Sequence, residues 1–106
     1  MGSVLEFTLE AASQLKNLAG SNSKAGVYKQ VLKALGYLEV NPKHKSLHTH
    51  EYSSLKGENG EKIFEAYAQN NTPGAYRIFW HYGPDRYDSK KKRVPVITII
   101  AITPHP

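Results

Sequence analysis

The alternation of apolar and polar residues predicts two neighbouring strands in the second half of the chain. In Ala75–Tyr82 large side chains recur at every second position, whereas Val94–His105 is an almost continuous run of apolar, largely β-branched residues. Strict alternation is typical of a strand with one buried face, and a continuous apolar run is typical of a strand covered on both faces. We therefore expect the last strand to lie in the middle of a sheet.

Apolar residues at helical spacing predict two helices near the start of the chain. The first should span Leu9–Ala19 and stop at Gly20, and the second should begin after a cap at residues 21–23 and end near Glu39. Because the connection between them is short, the two helices should form an antiparallel pair.

Shorter alternating patterns predict further strands at Val4–Thr8 and Lys62–Gln69. Turn-forming residues at 70–74 should connect the second of these to Ala75–Tyr82 as a hairpin. Asn41–Gly60 shows no sustained periodicity and is rich in turn formers, so we predict a long loop there, and loops of that length are often functional. The predicted order is β-α-α-β-β-β, in one α+β domain that covers residues 1–106.

Length and composition restrict the class of protein. A chain of 106 residues is long enough for one hydrophobic core. The sequence has no cysteine, which excludes a disulfide framework, a thiol nucleophile and a thiolate zinc site. No apolar run approaches the roughly 20 residues of a membrane-spanning helix, and the first residues lack the basic and apolar regions of a signal peptide. We expect a cytoplasmic protein without a membrane partner.

Positive charge is unevenly distributed along the chain. The net charge is +5, and after residue 40 ten Lys and Arg stand against six Asp and Glu. Such an excess favours a polyanionic partner such as RNA or DNA, and a mildly basic solvated surface is the alternative. The densest run, Lys90–Arg93, precedes the last strand. It could grip a phosphate backbone or serve only to keep a hairpin tip soluble.

Three short motifs occupy defined places in the predicted elements: Leu55–Gly57 before the strand at Lys62–Gln69, Tyr76–Trp80 inside the next strand, and Ile99–Ile102 leading to His105. Together with the order of elements, they resemble the RelE/ParE superfamily of bacterial toxins, which includes ribosome-dependent messenger-RNA endonucleases. The resemblance implies a small antiparallel sheet with two helices packed on one face, and an open basic face that docks RNA in the ribosomal decoding centre. It also implies an antitoxin protein as partner, and the ribosome and messenger RNA if the chain is catalytic.

Cleavage of RNA without a metal requires a base for the 2′-hydroxyl proton, an acid for the 5′-oxygen and a cation for the charge on phosphate. The resemblance assigns the phosphate contact to Arg77, a basic position to Lys56 and a place near the reacting ribose-phosphate to His105. His50, in the predicted loop, is a further residue that can carry protons near neutral pH. We therefore predict a catalytic set of Arg77, His105, Lys56 and His50, with no metal and no cofactor. For Arg77 the alternative is an ion pair with Glu65 on the adjacent strand.

The chain departs from the family pattern at four positions, one of which is Pro106, in place of the aromatic residue that follows the terminal histidine in some members. Glu65 and Tyr67 stand where many members have arginines that face the RNA, and Ser53 stands where some members have a catalytic glutamate. These departures favour an alternative function, a non-catalytic module of the same type that binds only a protein partner, either a topoisomerase or an antitoxin.

Candidates for RNA binding combine positive charge with aromatic surface, because phosphates attract cationic side chains and bases stack on aromatic rings. His44, His48 and His50, with Glu51, also have a spacing at which nitrogen and carboxylate ligands could hold a transition metal. Surface histidines in a basic loop are the alternative. The predicted RNA-binding set is Lys45, His48, Tyr67, His81, Lys90, Lys91, Lys92 and Arg93.

Overall fold

The chain forms a five-stranded sheet with two helices packed on one of its faces. The structure, a computed structural model, describes residues 2–70 and 72–105. This is the α+β architecture that the sequence predicts, with the helices on one face of the sheet. Among the described residues, no helix is both long enough and apolar enough to cross a membrane.

The first helix, α1 (Leu9–Ala19), begins and ends where the sequence predicts, and the second, α2 (Ala25–Val40), starts later because residues 22–24 form a separate 3-10 turn. Strand β3 (Lys62–Tyr67) is shorter than predicted, and two very short strands, β5 (Arg86–Tyr87) and β6 (Arg93–Val94), form a ribbon in the charged segment before the last strand. The elements are β1 Val4–Phe7, α1 Leu9–Ala19, α2 Ala25–Val40, β2 His50–Lys56, β3 Lys62–Tyr67, β4 Tyr76–Tyr82, β5 Arg86–Tyr87, β6 Arg93–Val94 and β7 Val96–Pro104, with 3-10 turns at Asn22–Lys24 and Lys45–Leu47.

The order of strands in the sheet is β1-β7-β4-β3-β2, so β7 has a neighbour on each side. This confirms the central place predicted for the last strand. The prediction of an antiparallel sheet is wrong in one respect, because β1 pairs with β7 in parallel, with Val4 opposite Val96 and Phe7 opposite Ile99. The other pairs are antiparallel. The apolar alternation in a short strand such as β1 records which side is buried but not the direction in which the strand runs.

The core lies between the helices and one face of the sheet, and α1 is fixed on β7 by polar contacts as well. Thr8 Oγ1 accepts a hydrogen bond from the Ala11 N–H at 3.1 Å and donates one to the Ile100 carbonyl at 3.2 Å. Gln14 Oε1 accepts from the Ile102 N–H at 2.6 Å. The strand that leads to His105 is therefore held in place by the first helix. The core consists of Ala11, Leu18, Val31, Ala34, Leu35, Leu38, Leu47, Ala66, Ile78, Trp80, Ile97, Ile99 and Ile102.

Asn41–Gly60 is not the long loop that its composition predicts. It contains a 3-10 turn and the edge strand β2. Leu47 is fully buried and anchors the segment in the core, and within the segment Thr49 Oγ1 donates to the Pro42 carbonyl at 2.7 Å. The sequence does not predict β2, because an edge strand with mostly exposed side chains has no alternation of apolar and polar residues. The strand is also irregular, since its register with β3 shifts between Glu51 and Lys56.

Truncation of the buried anchor in this segment should be costly. We expect Leu47→Ala to lower the free energy of unfolding by about 2–5 kcal/mol, because a fully buried leucine leaves a cavity. Leu32→Ala, at a position on α2 that is 43% exposed, is the matched control and should cost much less. Urea unfolding followed by circular dichroism measures both. Equal losses in the two variants would show that Leu47 is not an anchor.

Candidate acid–base site on the sheet face opposite the helices

The face of the sheet opposite the helices carries a group of polar side chains. On β3, Phe64 and Ala66 pack against the core under the helices, so the alternating Glu65 and Tyr67 lie on the other face. By the same alternation Arg77 on β4 lies there, directly opposite Tyr67 in the register. A cluster of charge and aromatic surface therefore follows from the strand pattern alone.

Two further elements each bring a histidine to this cluster. Strand β2 pairs with β3 so that His50 stands directly opposite Glu65. His105 follows β7, and its backbone N–H donates to the Ala75 carbonyl at 2.8 Å, which holds it beside the start of β4. Residues that are far apart in sequence thus meet at one end of this face. The resemblance implied an open face, but Glu65 and Phe79 at its centre are buried.

Glu65 is the centre of this group of side chains, which we call the acid–base cluster and which consists of His50, Glu65, Tyr67, Arg77 and His105. It is 1% exposed, although an unpaired carboxylate would be strongly disfavoured there. Its Oε1 lies 2.8 Å from His50 Nε2, and its Oε2 lies 2.6 Å from His105 Nδ1. The side chains of both histidines are 47% exposed. One buried carboxylate therefore holds two imidazole rings that reach solvent.

Arg77 lies beside this carboxylate but does not form a direct hydrogen bond with it. Arg77 Nε is 3.6 Å from Glu65 Oε2, which is within ion-pair distance and too long for a hydrogen bond. Its Nη1 donates to the Gln69 carbonyl at 2.7 Å, and the guanidinium lies over the Tyr67 ring at 3.7 Å from the centroid. The ion pair with Glu65 is thus the alternative that the sequence left open for Arg77. The stacking on Tyr67 fixes the plane of the guanidinium.

The hydrogen bonds of His50 determine where its protons are. His50 Nδ1 is 2.8 Å from the His48 carbonyl oxygen, which can only accept, so Nδ1 carries a hydrogen. His50 Nε2 faces Glu65 Oε1, and a short contact between those two atoms also requires a proton, carried by either the ring or the acid. Both nitrogens of His50 are therefore engaged.

His105 differs from His50 because only one of its nitrogens is engaged. With Nδ1 donating to Glu65, the neutral ring presents Nε2 as a proton acceptor. Within the described part of the chain, no hydrogen-bond partner meets that nitrogen, and the ring is half-exposed. His105 Nε2 is thus the nitrogen of the cluster that can exchange a proton with a ligand.

The structure does not bring Lys56 to the cluster, although the resemblance placed it in the catalytic set. Lys56 ends β2 and pairs with Lys62 in the register, whereas His50 begins that strand. The two residues therefore lie at opposite ends of the strand. The Lys56 ammonium instead lies 3.8 Å from Glu51 Oε2, with its side chain 55% exposed.

His81 also lies apart from the cluster, in a groove of about 550 Å³ that Lys56 and Glu61 help to line. The ring is buried, and its Nδ1 donates to the Tyr82 carbonyl at 3.0 Å. The pKa of Glu61 is lowered by hydrogen bonds from its own backbone N–H and that of Asn59, and more weakly by the charge of His81. Because the pKa of Glu61 is lowered on folding, its carboxylate contributes to the free energy of unfolding at a pH above its ordinary pKa. That contribution is lost as the pH falls through the lowered pKa.

The basic run Lys90–Arg93 lies at the opposite end of β4 and β7 from His105, in the ribbon that joins them. Asp88 Oδ1 orders the tip by accepting from the Lys90 and Lys92 N–H groups at 2.8 and 2.9 Å. Arg93 pairs with Asp85 at 3.3 Å. The three lysines are exposed and the arginine is partly neutralised, so this ribbon is a separate positive surface and not part of the acid–base cluster.

Two of the predicted RNA-binding residues lie at the edge of the cluster. The His48 ring is 5.0 Å from the Tyr67 ring, and Tyr67 supports Arg77. His44 turns elsewhere: it stacks on Tyr37 at 3.9 Å, and its Nδ1 accepts from the Ser46 N–H. In residues 2–70 and 72–105 no group of three His, Cys, Asp or Glu residues is arranged to hold a metal ion.

Glu65 is the functional candidate that the sequence alone did not single out. In the sequence Glu65 stands out only as a departure from the family pattern and as the alternative partner for Arg77. The sequence does contain a signal for Glu65. Its strand alternates between apolar and polar residues, and the adjacent strand carries an arginine on the same face. That combination predicts a buried pair of opposite charges. Its two histidine partners could not be found that way, since they come from a segment predicted as loop and from the end of β7.

Comparisons with protein-family models, with curated proteins and with solved structures found no match. The resemblance to the RelE/ParE superfamily therefore rests on the short motifs described above. The function has to be inferred from the geometry of the cluster itself.

Proposed function

We propose that the chain is a metal-independent endoribonuclease, the toxin of a toxin–antitoxin pair that cuts messenger RNA on the ribosome. The observation that supports this most strongly is the buried Glu65 carboxylate with His50 and His105 on its two oxygens and Arg77 beside it. Two half-exposed histidines with a cation beside their shared carboxylate supply the proton transfer and the positive charge that phosphodiester cleavage requires.

The reaction uses the RNA's own 2′-hydroxyl as nucleophile. His105 Nε2 takes the 2′-hydroxyl proton while the 2′-oxygen forms a bond to the adjacent phosphorus. The bond from phosphorus to the 5′-oxygen breaks, and that oxygen takes a proton from solvent at the half-exposed histidines. The products are a 2′,3′-cyclic phosphate and a 5′-hydroxyl, and His105 Nε2 returns to solvent the proton that it took from the 2′-hydroxyl.

Glu65 and Arg77 support this chemistry without giving or taking the transferred protons. Glu65 is too buried to touch a substrate, so it acts by fixing the two rings and the tautomer of His105. Arg77 contributes positive charge close to the phosphate, and its stacking on Tyr67 keeps that charge in one orientation. Both are positioning residues that prepare the site before substrate binds.

The chemical identity of the new RNA ends tests the proposal. Purified protein is added to ribosomes programmed with a defined message, and the 3′ ends of the fragments are analysed by mass spectrometry. We expect 2′,3′-cyclic phosphate ends. A 3′-hydroxyl end would exclude attack by the 2′-hydroxyl. Because the ribosome itself needs magnesium, chelation cannot serve as the test.

The alternative is a non-catalytic module that binds only a protein partner. Strand β2 favours it: β2 is at the edge of the sheet and is largely exposed, and an unpaired strand edge is a template on which another chain can add a strand. Absence of cleavage on every message tested, together with tight binding to an antitoxin or a topoisomerase, would support this alternative over the nuclease.

A further inference from the structure

A second concave site lies at the edge of the sheet, under the segment that leads from α2 into β2. It is a groove of about 370 Å³ with an aromatic floor formed by Phe64 and Tyr82. Lys43, Lys45 and His48 stand at its rim. His50 lines it as well, so the groove borders the acid–base cluster but is distinct from it.

The aromatic floor is rigid although part of it is open to solvent. Tyr82 is 49% exposed. It makes edge contacts with Phe64 at 5.6 Å and with Trp80 at 4.9 Å, and Phe64 stacks on Trp80 at 5.0 Å. A large exposed ring held by two neighbours offers a flat surface at little cost in side-chain entropy.

The rim is positively charged and also fixed. Leu47 is fully buried and anchors the segment, and the Lys43 N–H donates to Asn41 Oδ1 at 3.0 Å. In the part of the chain that the structure describes, neither Lys43 nor Lys45 has a carboxylate within ion-pair distance, and the groove is lined by no acidic residue. The positive charge of the rim is therefore available to a ligand.

We propose that this groove binds one nucleotide of single-stranded RNA, with the base stacked on Tyr82 and its phosphate held by Lys43 and Lys45. A flat exposed ring beside uncompensated lysines matches a base joined to a phosphate, because stacking on an aromatic side chain tolerates any base while the lysines attract the backbone. The inference rests on the proposed cleavage of RNA and adds a substrate contact to it. A nucleotide beside the cleaved bond lies in the groove, and His50 lies between the groove and the acid–base cluster.

A binding experiment without cleavage tests the groove. The probe is a single-stranded RNA hexanucleotide in which every 2′-hydroxyl is replaced by fluorine, so that 2′-hydroxyl attack is impossible. Affinity is measured by fluorescence anisotropy of the labelled probe. Intrinsic fluorescence is followed in parallel, because Trp80 is the only tryptophan and contacts Tyr82.

Tyr82→Leu should weaken binding by roughly 5- to 150-fold, the range expected when one base no longer stacks. Tyr82→Phe keeps the ring and should bind nearly as the parent does. Tyr87→Leu, at a tyrosine 69% exposed on the ribbon, is the matched control. Equal affinities for Tyr82→Leu and Tyr87→Leu, with unchanged Trp80 fluorescence on titration, would overturn the proposal.

Replacing Lys43 and Lys45 together by Gln should reduce the dependence of affinity on salt, by about 0.7 in the log–log slope for each phosphate that the protein no longer neutralises. The control replaces Lys16 and Lys29, both exposed on the helices, and should leave the slope unchanged. Probe binding that depends on Tyr82 would support the groove even if no message is ever cut. Cleavage with cyclic ends that is indifferent to Tyr82, Lys43 and Lys45 would support the nuclease and overturn the groove.

Discussion

Replacing His105 by alanine is expected to lower the rate of message cleavage on programmed ribosomes by roughly 10²–10⁴, the usual contribution of one acid–base group. The reason is that His105 Nε2 is the nitrogen of the cluster left open for a ligand, whereas both nitrogens of His50 are engaged. The measurement is single-turnover cleavage of a defined message with protein in excess, so that the chemical step is not hidden by product release.

A second variant distinguishes proton transfer from a merely structural role. His105→Asn keeps an amide donor that can reach Glu65 Oε2 but cannot carry a proton near neutral pH. If His105 only secured the sheet, His105→Asn would restore most of the activity; if it transfers a proton, His105→Asn should be as slow as His105→Ala. Lys29→Ala, on the exposed side of α2, should cleave at the rate of the parent.

Glu65→Ala is expected to lower the free energy of unfolding by about 3–5 kcal/mol, the usual cost of removing one partner from a buried ion pair. The side chain of Arg77 is only 10% exposed and would remain without its countercharge. Glu51→Ala is the matched control: it removes a carboxylate that is 39% exposed and 3.8 Å from Lys56, and such surface pairs contribute about 0–1 kcal/mol. Urea unfolding at neutral pH measures both variants.

The combination of Glu65→Leu with Arg77→Met separates the two contributions to that destabilisation. Because it removes both buried charges and fills their space with apolar atoms, it should regain most of the stability that Glu65→Ala loses. If Glu65→Ala cost no more than Glu51→Ala, the carboxylate would be hydrated in solution, and the description of Glu65 as a buried centre would be wrong.

The parts of the fold that follow from burial were predictable, and the parts that depend on strand direction or on an exposed edge were not. The continuous apolar run in β7 predicted an interior strand, and β7 does lie between β1 and β4, because an interior strand buries more of its β-branched residues than an edge strand does. Strand β2 carries no such signal, since nearly all of its side chains face solvent. The parallel pairing of β1 with β7 was equally hidden, because a pattern of burial is the same in both directions.

The candidate site was predictable only in part, for a related reason. Arg77 and Tyr67 lie on well-patterned strands, so their common face could be deduced, and His105 was placed by the strand before it. Lys56 was assigned by resemblance, and the structure places it at the far end of β2. In the sequence Glu65 is a departure from a pattern of arginines, whereas in the structure its place opposite His50 makes it the group around which the others are arranged.

The central place of β7 also determines when the sheet can form. The strand is the last to be synthesised, yet both β1 and β4 pair with it, and the hydrogen bond from Thr8 to the Ile100 carbonyl closes a separation of 92 residues. Contacts so distant in sequence cost loop-closure entropy before they give stability, so they slow folding. On a translating ribosome, β1 and the β3–β4 hairpin remain unjoined until β7 emerges. The contact between His105 and Glu65 comes later still, so a nascent chain has no assembled acid–base site.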